Sequence, residues 1–502
     1  MSRSLRTHSL LSAAALALAL TAAADTFGQS PNTSANVQNS ASPNIASSVS
    51  TPPVATPRDL SRAVGNYTII VPPKSGKGSD TDKTANKAGA ENNNADSATP
   101  PSANPPGPQA QLSQFSDRSI SRDRNAPIRY NLNAIRIVDH VNALMGGFGQ
   151  GAGFGFGVEF TTAKEQELKG YELYARALVS TRLYTTGELG ARVGNNNTRG
   201  EFWFNYTRRT RDNFFGIGPL TSELLETNFG TEQRSYNAVF AQRFAKRSEA
   251  GVYVQVSNTG SFNGKDDKDT PIDVLFSGNP NVVPITSFIP GLGQTVKLFN
   301  YGAYAEVDLR NNERGLTKGG YFYGRLSSID GLDNGNAFSD FGWIETELDG
   351  RIYIPIYGDK TSFAARAYTT LKNPKRGSQI PFYDLSTVGG RSFLRGFRNF
   401  RFRANNAVVF AGEIRRTIWA QNDDNTKGLD LIAFTDVGQV WGDNRSKTDP
   451  AILANGNFSS RNWRTGFGGG VQYRLSRNFA FRFDIAASNE RIMGYLSLSP
   501  GF

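Results

Sequence analysis

Gly389-Gly390-Arg391-Ser392-Phe393-Leu394-Arg395-Gly396-Phe397 is a loop of glycine, arginine and aromatic residues between two runs that alternate apolar and polar. It carries no catalytic constellation. Downstream come Glu413, on one strand-like run, and Phe434-Thr435-Asp436-Val437-Gly438, on the next. Glu413 shares a face with Arg415 and Thr417, opposite Phe410, Ile414 and Ile418. Asp436 shares a face with Asp430, opposite Leu431, Ala433 and Val437. Side chains alternate faces along a strand, so parity turns both acids to the polar side. Arginine is always charged and offers a planar fork of donors that matches a carboxylate. One arginine and two carboxylates on such strands point to a loop folded inward and pinned inside a lumen.

The alternation extends far upstream. Gly153 to Phe160 is a strand with glycine on one face. Phe202, Phe204 and Tyr206 alternate with Glu201 and Asn205. Glu345, Glu347, Asp349 and Arg351 oppose Ile344, Leu348, Ile352 and Ile354, and near the end Phe481, Phe483 and Ile485 oppose Arg482 and Asp484. About fifteen strands can be placed from Gly153 onward. A soluble sandwich alternates too, but so many strands would make an unusually large one. Sustained period two with aromatic-rich apolar faces favours an all-β transmembrane antiparallel barrel over residues 153–502. Single-chain outer-membrane barrels have even strand numbers. The missing strand is expected in Asn133–Leu144 or in Gly260–Thr295. The latter, with Pro271, Pro280, Pro284 and Pro290, reads as an extracellular loop, as does Arg211–Gly230. Ile135, Val138, Val141 and Leu144 recur at near-helical spacing, so residues 126–152 are expected to form a short mouth or plug element, helical first and a strand second.

Composition narrows the function. Aromatic residues make up 11% of the 502 residues, and glycine numbers 52. Mean hydropathy is −0.42. After the first twenty-odd residues no apolar run reaches the roughly 20 residues of a membrane helix. A barrel is compatible with this, because half of each strand faces a polar interior. The chain has no cysteine and two histidines, His8 and His140. Thiolate metal sites are excluded, and no metal, cofactor or enzymatic centre is expected. The net charge of +11 comes from basic residues spread singly among acids. That pattern fits anionic lipid head groups better than nucleic acid.

The N-terminus reads as a secretory signal over residues 1–24. Arg3 and Arg6 form its basic region, Leu10 to Leu20 its apolar region, and Ala22-Ala23-Ala24 its cleavage site. Residues 25–125 collapse to Ser, Asn, Ala, Thr, Pro and Gly, too polar to offset the cost of ordering, and are expected to be a disordered periplasmic segment. The island Tyr67–Val71 could add as a strand to a partner's sheet edge.

The ordered set of Gly-Gly, Arg-Gly-Phe, an inward Glu, F-x-D-x-G and a terminal Phe resembles the Omp85 superfamily of outer-membrane barrels, the group of the BamA, TamA and D15 surface-antigen proteins. The likeness is firm over Phe382–Phe502 and loose over Gly153–Pro381. It implies sixteen strands. It also implies a lumenal loop lock in which Arg395 meets Glu413 and Asp436, Gly396 allows the sharp turn, and Phe397 packs at the tip. Phe434 belongs to the F-x-D-x-G strand, where Gly438 spares room beside the acid. Leu496, Leu498 and Phe502 look like the C-terminal signal read by the bacterial assembly machinery, an expected partner for the chain's own insertion. In the family the seam between first and last strands is a lateral gate for client strands. Gly153, Gly155, Gly157 and Pro500 mark that seam here, since glycine weakens a strand and proline cannot donate a backbone bond; the alternative is that these glycines only allow curvature or close approach. The periplasmic POTRA domains usual in the family are not discernible in residues 25–125. The resemblance therefore implies an outer-membrane protein of a Gram-negative-type bacterium, in contact with lipid and lipopolysaccharide, that assists insertion or translocation of proteins, with unfolded outer-membrane proteins as clients. A channel for small solutes and a surface antigen without assembly activity are the alternatives.

Overall fold

The computed structural model describes residues 119–122 and 130–498, apart from 163–169, 196, 246, 266–269, 277–288, 312–317, 333–340, 359, 422–426, 443–455 and 477–478. The expected signal peptide, the Tyr67–Val71 island, Pro500 and Phe502 lie outside the described residues.

The strands in chain order are β1 (Ser119–Arg122), β2 (Tyr130–Val138), β3 (Val141–Gly147), β4 (Phe154–Thr161), β5 (Gly170–Ser180), β6 (Thr185–Gly194) and β7 (Thr198–Phe214). Then come β8 (Thr227–Ala245), β9 (Ser248–Asn263), β10 (Thr270–Pro271), β11 (Thr295–Asp308), β12 (Gly319–Gly331), β13 (Gly342–Tyr357) and β14 (Thr361–Pro374). Last are β15 (Ser386–Val388), β16 (Phe402–Ala404), β17 (Asn406–Ala420), β18 (Gly428–Trp441), β19 (Arg464–Ser476), β20 (Phe479–Ala487) and β21 (Ile492–Leu498). All but β15 and β16 belong to one 19-stranded sheet, and those two form a small hairpin of their own. Consecutive long strands pair antiparallel, with β9 passing to β11 and β14 to β17. The ends of this meander come back together, because β21 lies against β3. From β3 to β21 the wall counts sixteen strands, with β2 and the four-residue β1 added beyond β3.

Burial is inverted relative to a soluble protein. Glu159, Arg176, Glu188, Asp349, Glu413, Asp430, Asp436 and Arg482 are buried, while Phe160, Leu189, Phe240, Ile352, Phe410, Phe467 and Phe483 are exposed. Each strand thus turns its apolar row outward and its charged row inward, the pattern of a barrel in lipid. The fold is a transmembrane antiparallel β-barrel. No helix among the described residues is long and apolar enough to cross a membrane.

One end carries the tight turn between β2 and β3; the other carries the long connections, 215–226, 264–294, 375–405 and 442–463. In bacterial barrels the short turns face the periplasm and the long loops the exterior. At the long-loop end Phe214, Phe229, Ile272, Ile289, Phe341, Trp343, Ile380 and Phe382 pack into one apolar cluster.

Three expectations need correction. Asn133–Leu144 is not helical: it belongs to the β2–β3 hairpin. His140 takes a positive φ of 69° in its turn, and β-branched Ile135, Ile137, Val138 and Val141 flank it, so the near-helical spacing is two strands read through a turn. Ser119–Arg122, placed in the disordered segment, pairs with β2 as β1. The outer loops are also shorter than expected, because Arg211–Phe214 continue β7, Thr227–Gly230 open β8 and Gly260–Asn263 end β9.

A candidate lumenal lock

The connection from β14 to β17 folds into the barrel. Its tip is held against the inner faces of β17, β18 and β19. Arg395 lies at the centre and is 3% exposed. Its Nε and Nη2 donate to Asp436 Oδ2 and Oδ1, both at 2.7 Å, and its backbone N–H donates to Oδ2 at 3.0 Å. Its Nη1 donates to Glu413 Oε2 at 3.1 Å. The Phe434 ring lies under the guanidinium, 3.4 Å from ring centroid to Cζ, a desolvated cation–π contact. Burial alone would lower the Arg395 pKa, but hydrogen bonding and charge from Asp436, then charge from Glu413, outweigh it and hold the group above the ordinary arginine value.

The pairing register explains the convergence. Ala411 stands opposite Asp436 and Glu413 opposite Phe434, so the two acids lie two positions apart on the inner faces of adjacent strands. Gly396, at φ 92°, makes the turn. An added Cβ there would also come within 2.8 Å of the Ala487 carbonyl oxygen. Phe397 is fully buried with Val388, Leu394, Phe402, Val409 and Val440. Gly438 leaves room for Val408 and Val409 of the paired strand β17 and for Val388 of β15, rather than for the acid.

Residues that sequence reasoning did not assign to the site complete it. Arg482, on β20, donates from Nη1 and Nη2 to both oxygens of Glu413 at 2.9 Å, and from Nε to Asp484 at 2.9 Å. Arg415 Nε also donates to Glu413. Arg395, Arg415 and Arg482 thus face Glu413, Asp436 and Asp484 in one buried network. Tyr495 of β21 accepts from Gly396 N–H and donates to the Phe397 carbonyl, both at 3.0 Å, and Ser488 donates to the Gly396 carbonyl at 2.7 Å. The alternation of Arg482 and Asp484 with Phe481 and Phe483 shows that they face inward, but which acid they reach depends on register.

The three glycines expected at the seam stand elsewhere. Gly155 and Gly157 lie on β4, one strand in from β3, and Gly153 lies in the turn before it with φ 82°. A Cβ on Gly155 would come within 2.4 Å of Phe148, and one on Gly157 within 2.3 Å of the Ala177 carbonyl. Close packing and turn geometry account for these glycines, in place of a weakened edge. Leu496 points outward, 59% exposed, and Leu498 ends β21. Among the described residues no cluster of His, Cys, Asp and Glu could hold a metal.

The Omp85 superfamily domain model matches residues 228–494, more than half of the chain. The chain belongs to the Omp85 superfamily. A solved structure of BamA from Haemophilus ducreyi lacking POTRA domains 1–3 is similar at a TM-score of 0.50 and 13% identity, covering 78% of this chain and 77% of that one. CdiB from Escherichia coli is similar at 0.44 and 11%, covering 78% and 69%, and CdiB from Acinetobacter baumannii at 0.41 and 12%, covering 78% and 67%. At 13% identity the likeness to that BamA structure shows the barrel fold alone. No curated protein matches the chain.

For this Omp85 barrel, Arg395→Ala is expected to cost about 3 kcal/mol, since it leaves buried Asp436 unpaired. Arg395→Lys should fall between, keeping the charge but losing the fork. Limited proteolysis of the folded protein reads the loop directly: new cleavage within 389–400 is expected for Arg395→Ala, and full protection would refute the pinning.

Proposed function

We propose that this Omp85 barrel acts in the outer membrane of a Gram-negative-type bacterium, assisting insertion or translocation of proteins through a seam between β3 and β21. The observation that carries the reading is the meeting of the two ends of the meander. Among the described residues β21 touches β3 over a much shorter stretch than any other neighbouring strands of the wall share. The edge of β3 away from β4 already carries β2. A strand edge with few partners inside a bilayer is costly unless another strand supplies the missing bonds. A client segment can do so by strand addition. The lock serves this role by bracing the inner wall of β17 to β21, the side of the barrel that ends at the seam.

The test is a disulfide between β3 and β21. The chain has no native cysteine, so paired cysteines placed one on Val141–Gly147 and one on Ile492–Leu498 report only on the seam. The oxidised barrel should remain folded, with the heat-dependent gel mobility of an intact barrel, and lose its assembly activity, which reduction restores. Unchanged activity in the crosslinked form would exclude the seam. Unchanged conductance in planar bilayers together with no assembly activity in either state would favour the small-solute channel.

A further inference from the structure

The outer wall directly behind the lock carries a depression that its neighbours do not fill. On β13, β14 and β17 the outward-facing positions include Gly350, Ala365, Ala367 and Gly412, and Phe363 and Phe410 stand at its sides. Its volume is about 570 Å³, within the roughly 300–1,000 Å³ of small-ligand sites. The register places these residues together: Gly350 pairs with Ala367, Ala367 with Phe410, and Ala365 with Gly412. Packing does not demand the two glycines. A Cβ on Gly412 would approach nothing closer than Phe363 at 3.7 Å, and one on Gly350 nothing closer than the Ala367 carbonyl at 3.9 Å, both ordinary contacts.

A second feature lies on the same strand. The outward row of β17 runs Val408, Phe410, Gly412, Ile414, Arg416, Ile418. Arg416 is exposed, and among the described residues no carboxylate of the protein pairs with it. An arginine on a lipid-facing row is unfavourable at the bilayer midplane and less so near the interface. Arg416 lies toward the short-turn end, where Trp419 stacks on Tyr473 in the manner of an interfacial belt. It pairs across with Thr361, beside Lys360 in the turn. Arg416 stands four positions from Gly412, roughly 13 Å along a strand. A phosphate at Arg416 would therefore place its acyl chain along Ile414 and into the depression.

We propose that this face binds a glycerophospholipid of the leaflet at the short-turn end, its phosphate on Arg416 and one acyl chain over Gly412 and Gly350. The assignment rests on the barrel's membrane placement, not on the assembly activity. It puts a lipid against the outer side of the strand segments whose inner sides hold Glu413 and Asp436.

Native mass spectrometry of the detergent-purified full chain, titrated with dioleoylphosphatidylglycerol, tests it. The wild type should retain one lipid at activation energies that strip the rest. Arg416→Gln and, independently, Gly412→Leu should each lower that retention at least tenfold, with heat-dependent gel mobility unchanged. Retention equal to wild type in both variants overturns the site. Selective retention of lipid A over the phospholipid overturns the leaflet and the occupant. Loss of heat-dependent mobility in the wild type would instead mean that the chain is not an intact barrel, and the membrane placement would fail with it.

Discussion

Glu413→Ala is expected to be the most damaging single change in the lumen, toward the upper end of the about 3–5 kcal/mol that removing one partner of a buried ion pair costs. Glu413 is 1% exposed and receives donors from Arg395, Arg415 and Arg482, which come from the loop, from β17 itself and from β20. Removing it leaves three guanidinium groups close together with Asp436 and Asp484 as remaining acids. Arg395→Ala is milder, because Glu413 keeps two of its arginines. Glu413→Gln retains the shape but not the charge and should fall near the alanine variant. Urea unfolding in lipid vesicles, followed by tryptophan fluorescence, gives the difference. A double-mutant cycle with Arg482→Ala isolates the loop-independent part, because that pair joins wall to wall. A loss below about 1 kcal/mol for Glu413→Ala would mean that lumenal water screens these charges as it does at a surface.

Much of this network could be read in the chain, and the limit of that reading has a physical origin. Period two assigns each residue of a strand to the inner or outer face, so Glu413, Asp436, Arg482 and Asp484 could all be placed inside before any coordinates. Pairing Arg395 with Glu413 and Asp436 followed from the family resemblance. Pairing Arg482 with Glu413 did not, because β20 is three strands away from β17 and the curvature that brings them together is not written in either strand. Tyr495 was hidden for the same reason: it locks the Gly396 turn from β21, about a hundred positions downstream. At β2 and β3 the error was one of period, since apolar residues on two short strands joined by the His140 turn mimic a helical repeat. The glycines at 153, 155 and 157 misled differently. Their composition weakens a strand, but their neighbours Thr181, Phe148 and Leu178 occupy the space a side chain would need.

Gly466→Val is the counterpart of the charge deletions, a change that adds an obstacle instead of removing a partner. Gly466 stands opposite Asp436 on β19 and faces inward. A Cβ there would lie 1.8 Å from the Arg395 carbonyl oxygen and 2.9 Å from its carbon, so the loop backbone rests directly on the sheet. The obstructing atoms are main chain and cannot rotate aside. β19 cannot step back either, because β18 holds it on one edge and β20 on the other. The loop must therefore rise, and the bond from Arg395 N–H to Asp436 goes first, with the guanidinium following. Gly466→Val is thus expected to expose residues 389–400 to protease at least as fully as Arg395→Ala, although Arg395, Glu413 and Asp436 are all still present. Gly469→Ala, on the opposite face of the same strand, should leave the loop protected. Non-additivity decides between expulsion of the loop and damage to the strand. Once Arg395→Ala has freed the loop, adding Gly466→Val should change unfolding little. If the two costs instead sum in full, the valine harms β19 on its own account, and the close seat of the loop against Gly466 is not what holds it inside the barrel.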